Sequence, residues 1–168
     1  MNVLIAFASK HGSTGEIARI IAQDLENAGI TVELREAGEV DAVDEFDAVI
    51  LGSSIYVGQW QKDALTLIDR TEAQLRDRQV WLFSSGPVGA DPFPAGEPPI
   101  TSELIERTGA NEHQSFTGKL DRATLGFGER LITGVTRAPE GDFRDWDAIR
   151  AWAAYIARTL KSDLATTR

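Results

Sequence analysis

Cysteine is absent from this 168-residue sequence. That absence excludes disulfide frameworks, thiolate catalysis, iron–sulfur clusters and CxxC redox chemistry, so any redox role rests on a bound cofactor. Histidine occurs only at His11 and His113, without carboxylates at ligand spacing, and no metal site is expected. No apolar run approaches the roughly 18 residues of a membrane-spanning helix. The N-terminus, Met1-Asn2-Val3-Leu4-Ile5-Ala6-Phe7, shows neither a basic stretch nor a cleavage site, so no signal peptide is read and a cytoplasmic location is expected. Positive charge is scarce as well: 17 Lys and Arg stand against 26 Asp and Glu, a net charge of −9. Such a chain repels phosphate backbones, which excludes generic nucleic-acid binding, and it suits basic partners.

What is present is the composition of a folded domain. With 42% hydrophobic and 26% charged residues, disorder is excluded as the main state. A chain of this length buries roughly 70% of its unfolded surface and needs no metal or disulfide to stay folded. One domain spanning residues 1–168 is expected.

Hydrophobic patterning alternates between two kinds of segment. Val3 to Ala8, Ala48 to Leu51 and Val80 to Phe83 are continuous apolar runs, as in strands buried on both faces. Ile30 to Leu34 alternates apolar and polar, as an edge or near-edge strand does, and Gln114 to Leu120 reads as a last strand. Between them, Ile17, Ile20, Ile21 and Leu25 form a helical stripe closed by Gly29. Lys62 to Arg76 is a second amphipathic helix. Thr101 and Ser102 are placed to cap a short helix over Glu103 to Arg107, stopped by Gly109. Trp146, Ile149, Ala153, Ile156 and Leu160 mark a last helix with Asp145 as its N-cap. Strands alternating with helices predict an α/β doubly wound, five-stranded parallel sheet in three α/β/α layers. Residues 119 to 145 are too long and irregular for a simple connection, and such loops in compact domains are often functional.

Ligands of open α/β sheets bind at the carboxyl ends of the strands. Three strand ends here are rich in Gly, Ser and Thr. The first, Ser9-Lys10-His11-Gly12-Ser13-Thr14, precedes a helix, so its backbone N–H groups and hydroxyls suit a phosphate; an ordinary strand–helix turn is the plainer alternative. The second is Gly52-Ser53-Ser54-Ile55-Tyr56-Val57-Gly58-Gln59-Trp60, and the third Ser84-Ser85-Gly86-Pro87-Val88-Gly89. GxxxxGK[ST] is absent, as is GxGxxG after the first strand, which excludes a P-loop nucleotidase and argues against a dinucleotide fold. A phospho-acceptor receiver domain of the same topology needs acidic residues where Ser9 and Gly52 stand.

The first loop resembles the flavodoxin phosphate loop, T/S-x-T-G-x-T. Ser9, Gly12 and Thr14 match it, and His11 replaces the third hydroxyl. The second and third loops resemble the two loops that enclose the flavin ring. This resemblance implies a flavodoxin-like fold and an FMN cofactor. It places Ser9, Lys10, His11, Gly12, Ser13 and Thr14 around the phosphate. Ser53, Ser54, Ile55, Tyr56, Gly58 and Trp60 fall on one side of the ring, and Ser85, Gly86, Pro87, Val88 and Gly89 on the other. Tyr56 and Trp60 are the candidates for stacking on the ring, with Trp60 preferred; Trp81, Trp146 and Trp152 are read as structural. His11 either bonds the phosphate by its ring or contributes only its backbone N–H. His113 is assigned no role. Asp91 either touches the flavin or caps a turn, and the acidic stretch from Glu36 to Asp47 is read as a solvated face.

Within that family, Ser-Lys-His-Gly-Ser-Thr, the Gly52-Ser53-Ser54-Ile55 run and Gly141-Asp142-Phe143-Arg144-Asp145-Trp146 resemble the menaquinone-dependent protoporphyrinogen dehydrogenase group. That group also carries an extra segment where residues 119 to 145 lie. Here the segment holds Lys119, Arg122, Arg130, Arg137 and Arg144 against Asp121, Glu129, Glu140, Asp142 and Asp145, with only Phe127 and Phe143 as aromatics, so at most a peripheral membrane contact is expected. The resemblance implies an FMN-dependent oxidoreductase passing electrons to a quinone or other acceptor. A flavodoxin-type electron carrier between protein partners is the alternative, and a flavin-free binding module a third. No side chain stands out as a general acid or base.

Overall fold

A computed structural model describes residues 1–56, 58–86, 100–120 and 141–166. The apolar run after Met1 forms β1 (Asn2–Ala8), which Gly12 and Ser13 lead into α1 (Ser13–Asn27). β2 (Thr31–Glu36) follows, then β3 (Ala48–Tyr56), a two-residue β4 (Gln59–Trp60) and α2 (Lys62–Arg76). β5 (Gln79–Ser85), α3 (Ile100–Thr108), β6 (Glu112–Phe116), β7 (Lys119–Leu120), β8 (Gly141–Asp142) and α4 (Trp146–Thr166) complete the described elements.

Five strands pair in parallel in the order β2-β1-β3-β5-β6. β1 is followed by a crossover to one side and β3 lies on its other side, so the winding reverses between β1 and β3. The carboxyl ends of those two strands form the crevice where such sheets take ligands. Alternation along the buried strands explains the layers. Val3, Ile5 and Phe7 pack with Ile17, Ile21 and Leu25 of α1 and with Ile149, Ile156 and Leu160 of α4. Leu4, Ala6 and Ala8 face the opposite layer, with Leu67, Ile68 and Leu75 of α2 and Leu104 of α3. A run apolar at every position is what a strand sandwiched by two helical layers requires. Asp145 caps α4 as expected: its Oδ1 accepts the Ala148 N–H at 2.9 Å.

Several expectations need correction. β3 and β5 run past their apolar segments through Tyr56 and Ser85, because Ser53 and Ser54 stay in register with Ser84 and Ser85. The last parallel strand is Glu112–Phe116 rather than Gln114 to Leu120; Lys119–Leu120 instead pairs antiparallel with Gly141–Asp142. Thr101 lies buried inside α3 and is not its cap. The acidic stretch from Glu36 to Asp47 is not only a solvated face, since Ala37, Val40, Val43 and Phe46 are buried under α2. The interior of the 119–145 segment, together with Val57, Pro87, Val88, Gly89 and Asp91, lies outside the described residues.

Candidate functional site

The three Gly/Ser/Thr-rich segments converge. Lys10 Nζ lies 3.8 Å from the centroid of the Tyr56 ring, joining the first segment to the second by a cation–π contact. Thr14 Oγ1 and Ser85 Oγ are 2.8 Å apart in a buried hydrogen bond, joining the first to the third. Gly86 abuts Ile55: a Cβ built on this glycine would lie 3.7 Å from Ile55 Cβ. Residues separated by about half the chain are thus assembled at the carboxyl ends of β1, β3 and β5, at the reversal in winding.

The first segment has the features of an anion cradle. Gly12 precedes α1 with φ 83, a left-handed conformation that glycine adopts without strain, and no side chain caps the helix. The first-turn N–H groups therefore lack a side-chain acceptor, and the helix dipole adds partial positive charge there. Ser9 Oγ and Ser13 Oγ are buried without a hydrogen-bond partner, as is Ser54 Oγ on β3. A buried hydroxyl left unpaired costs about 1–3 kcal/mol. Three of them at one crevice, beside an uncapped helix, fit a ligand that brings several acceptor oxygens. The phosphate and ribityl chain of FMN meet that requirement. Lys10 and His11 are exposed in the same loop.

Two candidate hydroxyls are already engaged. Ser53 is fully buried; its Oγ accepts the Gln61 N–H at 2.8 Å and donates to the Ser54 carbonyl at 3.0 Å, so it fastens the β3–β4 turn rather than facing the crevice. Thr14, also fully buried, bonds Ser85. The preference for Trp60 as the stacking residue is corrected too. Trp60 is 3% exposed, packed in the core with α2 and 6.2 Å from the His113 ring, with its indole N–H unpartnered. Antiparallel pairing of Ile55 with Trp60 and Tyr56 with Gln59 makes a hairpin that leaves Tyr56 half-buried at the crevice. Tyr56, not Trp60, is placed to offer a ring face.

Gly52 shows how tightly the sheet is built behind the site. A Cβ there would fall 2.0 Å from Phe83 Cζ, so only glycine lets the Phe83 ring cross β3. Phe83 in turn packs with Phe116 and Trp152, centroids 6.2 and 6.0 Å away. Sequence reasoning passed over two further groups. His113 Nε2 lies 3.1 Å from Ser84 Oγ, beneath the third segment. Arg144 reaches the first turn of α1, where its Nη1 donates to Glu16 Oε2 at 2.6 Å. No local pattern announces a contact between residues 128 positions apart. Asp142 receives two bonds from the same guanidinium, and these hold its carboxyl below the usual carboxylate value. Among the described residues, no His, Asp and Glu are grouped to hold a metal, and no helix is long and apolar enough to cross a membrane.

Comparison with known proteins gives concordant findings. Residues 4–147 match the family model described as Flavodoxin domain. A flavodoxin of Nitratidesulfovibrio vulgaris is 37% identical over 166 residues, covering 95% of this chain and 99% of that protein. Flavodoxin 2 from Bacillus cereus superposes with a TM-score of 0.64 at 25% identity, over 96% of this chain and 99% of that one. The rubredoxin oxygen:oxidoreductase of Desulfovibrio gigas shares the fold at 17% identity, with a TM-score of 0.68; this chain spans 98% of its own length and 37% of that longer protein.

Proposed function

Because the chain belongs to the flavodoxin family, with FMN as its cofactor and redox partners as its business, we propose that it is an electron carrier between proteins rather than a dehydrogenase with its own substrate. The observation that supports this most is the mutual coverage with the N. vulgaris flavodoxin. The two chains match over 95% of one and 99% of the other, so nearly the whole of a flavodoxin is represented in this chain. The length of residues 119–145 does not by itself call for a substrate pocket. The site residues agree: among those described, the crevice offers hydroxyls, backbone N–H groups, one aromatic face and the exposed Lys10 and His11, a set suited to holding a phosphorylated cofactor.

When bound, FMN supplies the electron chemistry at its ring. The chain's own residues bind and orient it. Ser9 and Ser13, with the first-turn N–H groups of α1, hold the phosphate; Ser54 supplies a further hydroxyl; Tyr56 offers a ring face, backed by Lys10. Ser85 and Gly86 close the other wall, with Thr14 fixing Ser85 in place. The net charge of −9 draws in basic partners and speeds encounter at low salt.

A protoporphyrinogen-type dehydrogenase is the second reading, favoured by the Gly141–Trp146 motif. Anaerobic mixing of the FMN-loaded protein with protoporphyrinogen IX and excess quinone separates the two. A carrier gives no sustained porphyrin formation, and its reduced form passes electrons to a basic one-electron acceptor protein at a rate that falls with salt. Sustained turnover of protoporphyrinogen would overturn the carrier reading.

A further inference from the structure

Arg144 is the most completely enclosed cation among the described ion pairs, its side chain only 3% exposed. Its Nε and Nη2 donate to Asp142 Oδ1 and Oδ2 at 2.7 and 2.5 Å, and its Nη1 to Glu16 Oε2 at 2.6 Å. The guanidinium also lies 4.4 Å over the Trp146 ring. Asp142 is fixed in the β7–β8 ribbon, where the Phe143 N–H donates to the Gly118 carbonyl at 3.2 Å. The other end of this arrangement is the first turn of α1. Glu16 N–H donates to the Gly12 carbonyl at 3.1 Å, so Glu16 stands one helical turn, about 5.4 Å of rise, from the loop that cradles the anion.

A carboxylate in the first turn stabilises an empty helix through the dipole. It also competes with any anion that binds the same N-terminus, because both occupy the one patch of positive potential. Arg144 lies on that carboxylate. We propose that Arg144 is a positioning residue for the phosphate of FMN, cancelling the field of Glu16 at the α1 N-terminus so that the cradle favours the phosphorylated flavin. Among the described residues, Glu16 on α1, Asp142 on β8 and Lys119 on β7 act on this cluster with Arg144, while Lys10 and His11 stand in the anion loop itself. The inference rests on the reading that the phosphate binds at the start of α1.

The discriminating quantity is the ratio of FMN affinity to riboflavin affinity, measured by flavin fluorescence on the apoprotein. Riboflavin has the ring and ribityl chain but no phosphate, so a loss of structure alone weakens both flavins alike. Arg144→Gln removes one positive charge shared by Glu16 and Asp142 and is expected to lower the ratio about tenfold at low salt, with a smaller change at high salt. Glu16→Gln is expected to raise the ratio, and the double variant to return near the wild-type value. Arg144→Lys, which keeps the charge but loses the bidentate geometry, is expected to keep most of the ratio. If Arg144→Gln does not fold, Glu16→Gln and Arg144→Lys still read the same quantity.

An unchanged ratio in Glu16→Gln, or FMN and riboflavin weakened equally in Arg144→Gln, would overturn the proposal and leave Arg144 a purely structural clamp. A wild-type protein that binds both flavins equally overturns the phosphate site itself, and this inference with it, a result visible before any variant is made.

Discussion

A hydroxyl shut away from water needs a partner inside the protein or in a ligand. The serine and threonine side chains of the three strand ends divide along this line. Ser9, Ser13 and Ser54 are buried without a partner in the protein, whereas Ser53, Thr14 and Ser85 are satisfied by it. The sequence placed all six in one class, because composition does not reveal which way a hydroxyl turns. The Thr14–Ser85 bond makes this division measurable. Ser85→Ala strands the buried Thr14 hydroxyl and is expected to cost the apoprotein about 1–2 kcal/mol in urea unfolding. Adding Thr14→Val removes the orphan, so the double variant should lose less than the sum of the singles; strict additivity would show that the two hydroxyls do not act as a pair. Asp142 supplies a pH signature at the same scale. Arg144 holds its folded value below the ordinary 3.8. The stabilisation is therefore complete above that ordinary value and fades as pH falls through the lower, folded one. Asp142→Asn should be less stable than wild type at neutral pH, with the gap closing as pH falls below the ordinary carboxylate value. A gap that stays constant with pH would remove the ion pair as its cause.

Helices and buried strands were legible in the sequence where side-chain period carries the information. α2 matches its expected bounds at Lys62–Arg76, and the α4 stripe and its Asp145 cap stand where expected. What the period does not carry is backbone pairing. The ladder of Ser53 and Ser54 with Ser84 and Ser85, the two-residue β4 and the β7–β8 ribbon are held by main-chain bonds between residues with no apolar alternation. The β3–β4 hairpin matters most for the site, since its register turns Trp60 into the core and leaves Tyr56 at the crevice. Tyr56→Leu is accordingly expected to weaken FMN binding by about 2- to 10-fold, the worth of an aromatic contact, with little loss of stability. Trp60→Phe should do the reverse, costing about 1–3 kcal/mol of stability while FMN affinity stays within about twofold. FMN titration and urea unfolding of both variants check this pair, and an exchange of the two outcomes would restore Trp60 as the stacking residue.

At the scale of the whole molecule, topology and charge do different work. The order β2-β1-β3-β5-β6 brings the ends of β1, β3 and β5 to one crevice, the place proposed for the cofactor. It is the strand order of flavodoxins in general, and it says nothing about partners. The acidic balance bears on partners instead, favouring basic surfaces at long range. The sequence's preference for an enzyme over a carrier rested on the extra 119–145 segment, whereas the family model and the N. vulgaris relative match the chain as a flavodoxin. Which electrons are passed, singly or in pairs, is a property of the assembled holoprotein. Anaerobic spectroelectrochemical titration of the FMN-loaded protein reads it directly. Two resolved one-electron midpoints are expected of a carrier that serves protein partners one electron at a time; a single two-electron midpoint would contradict that role.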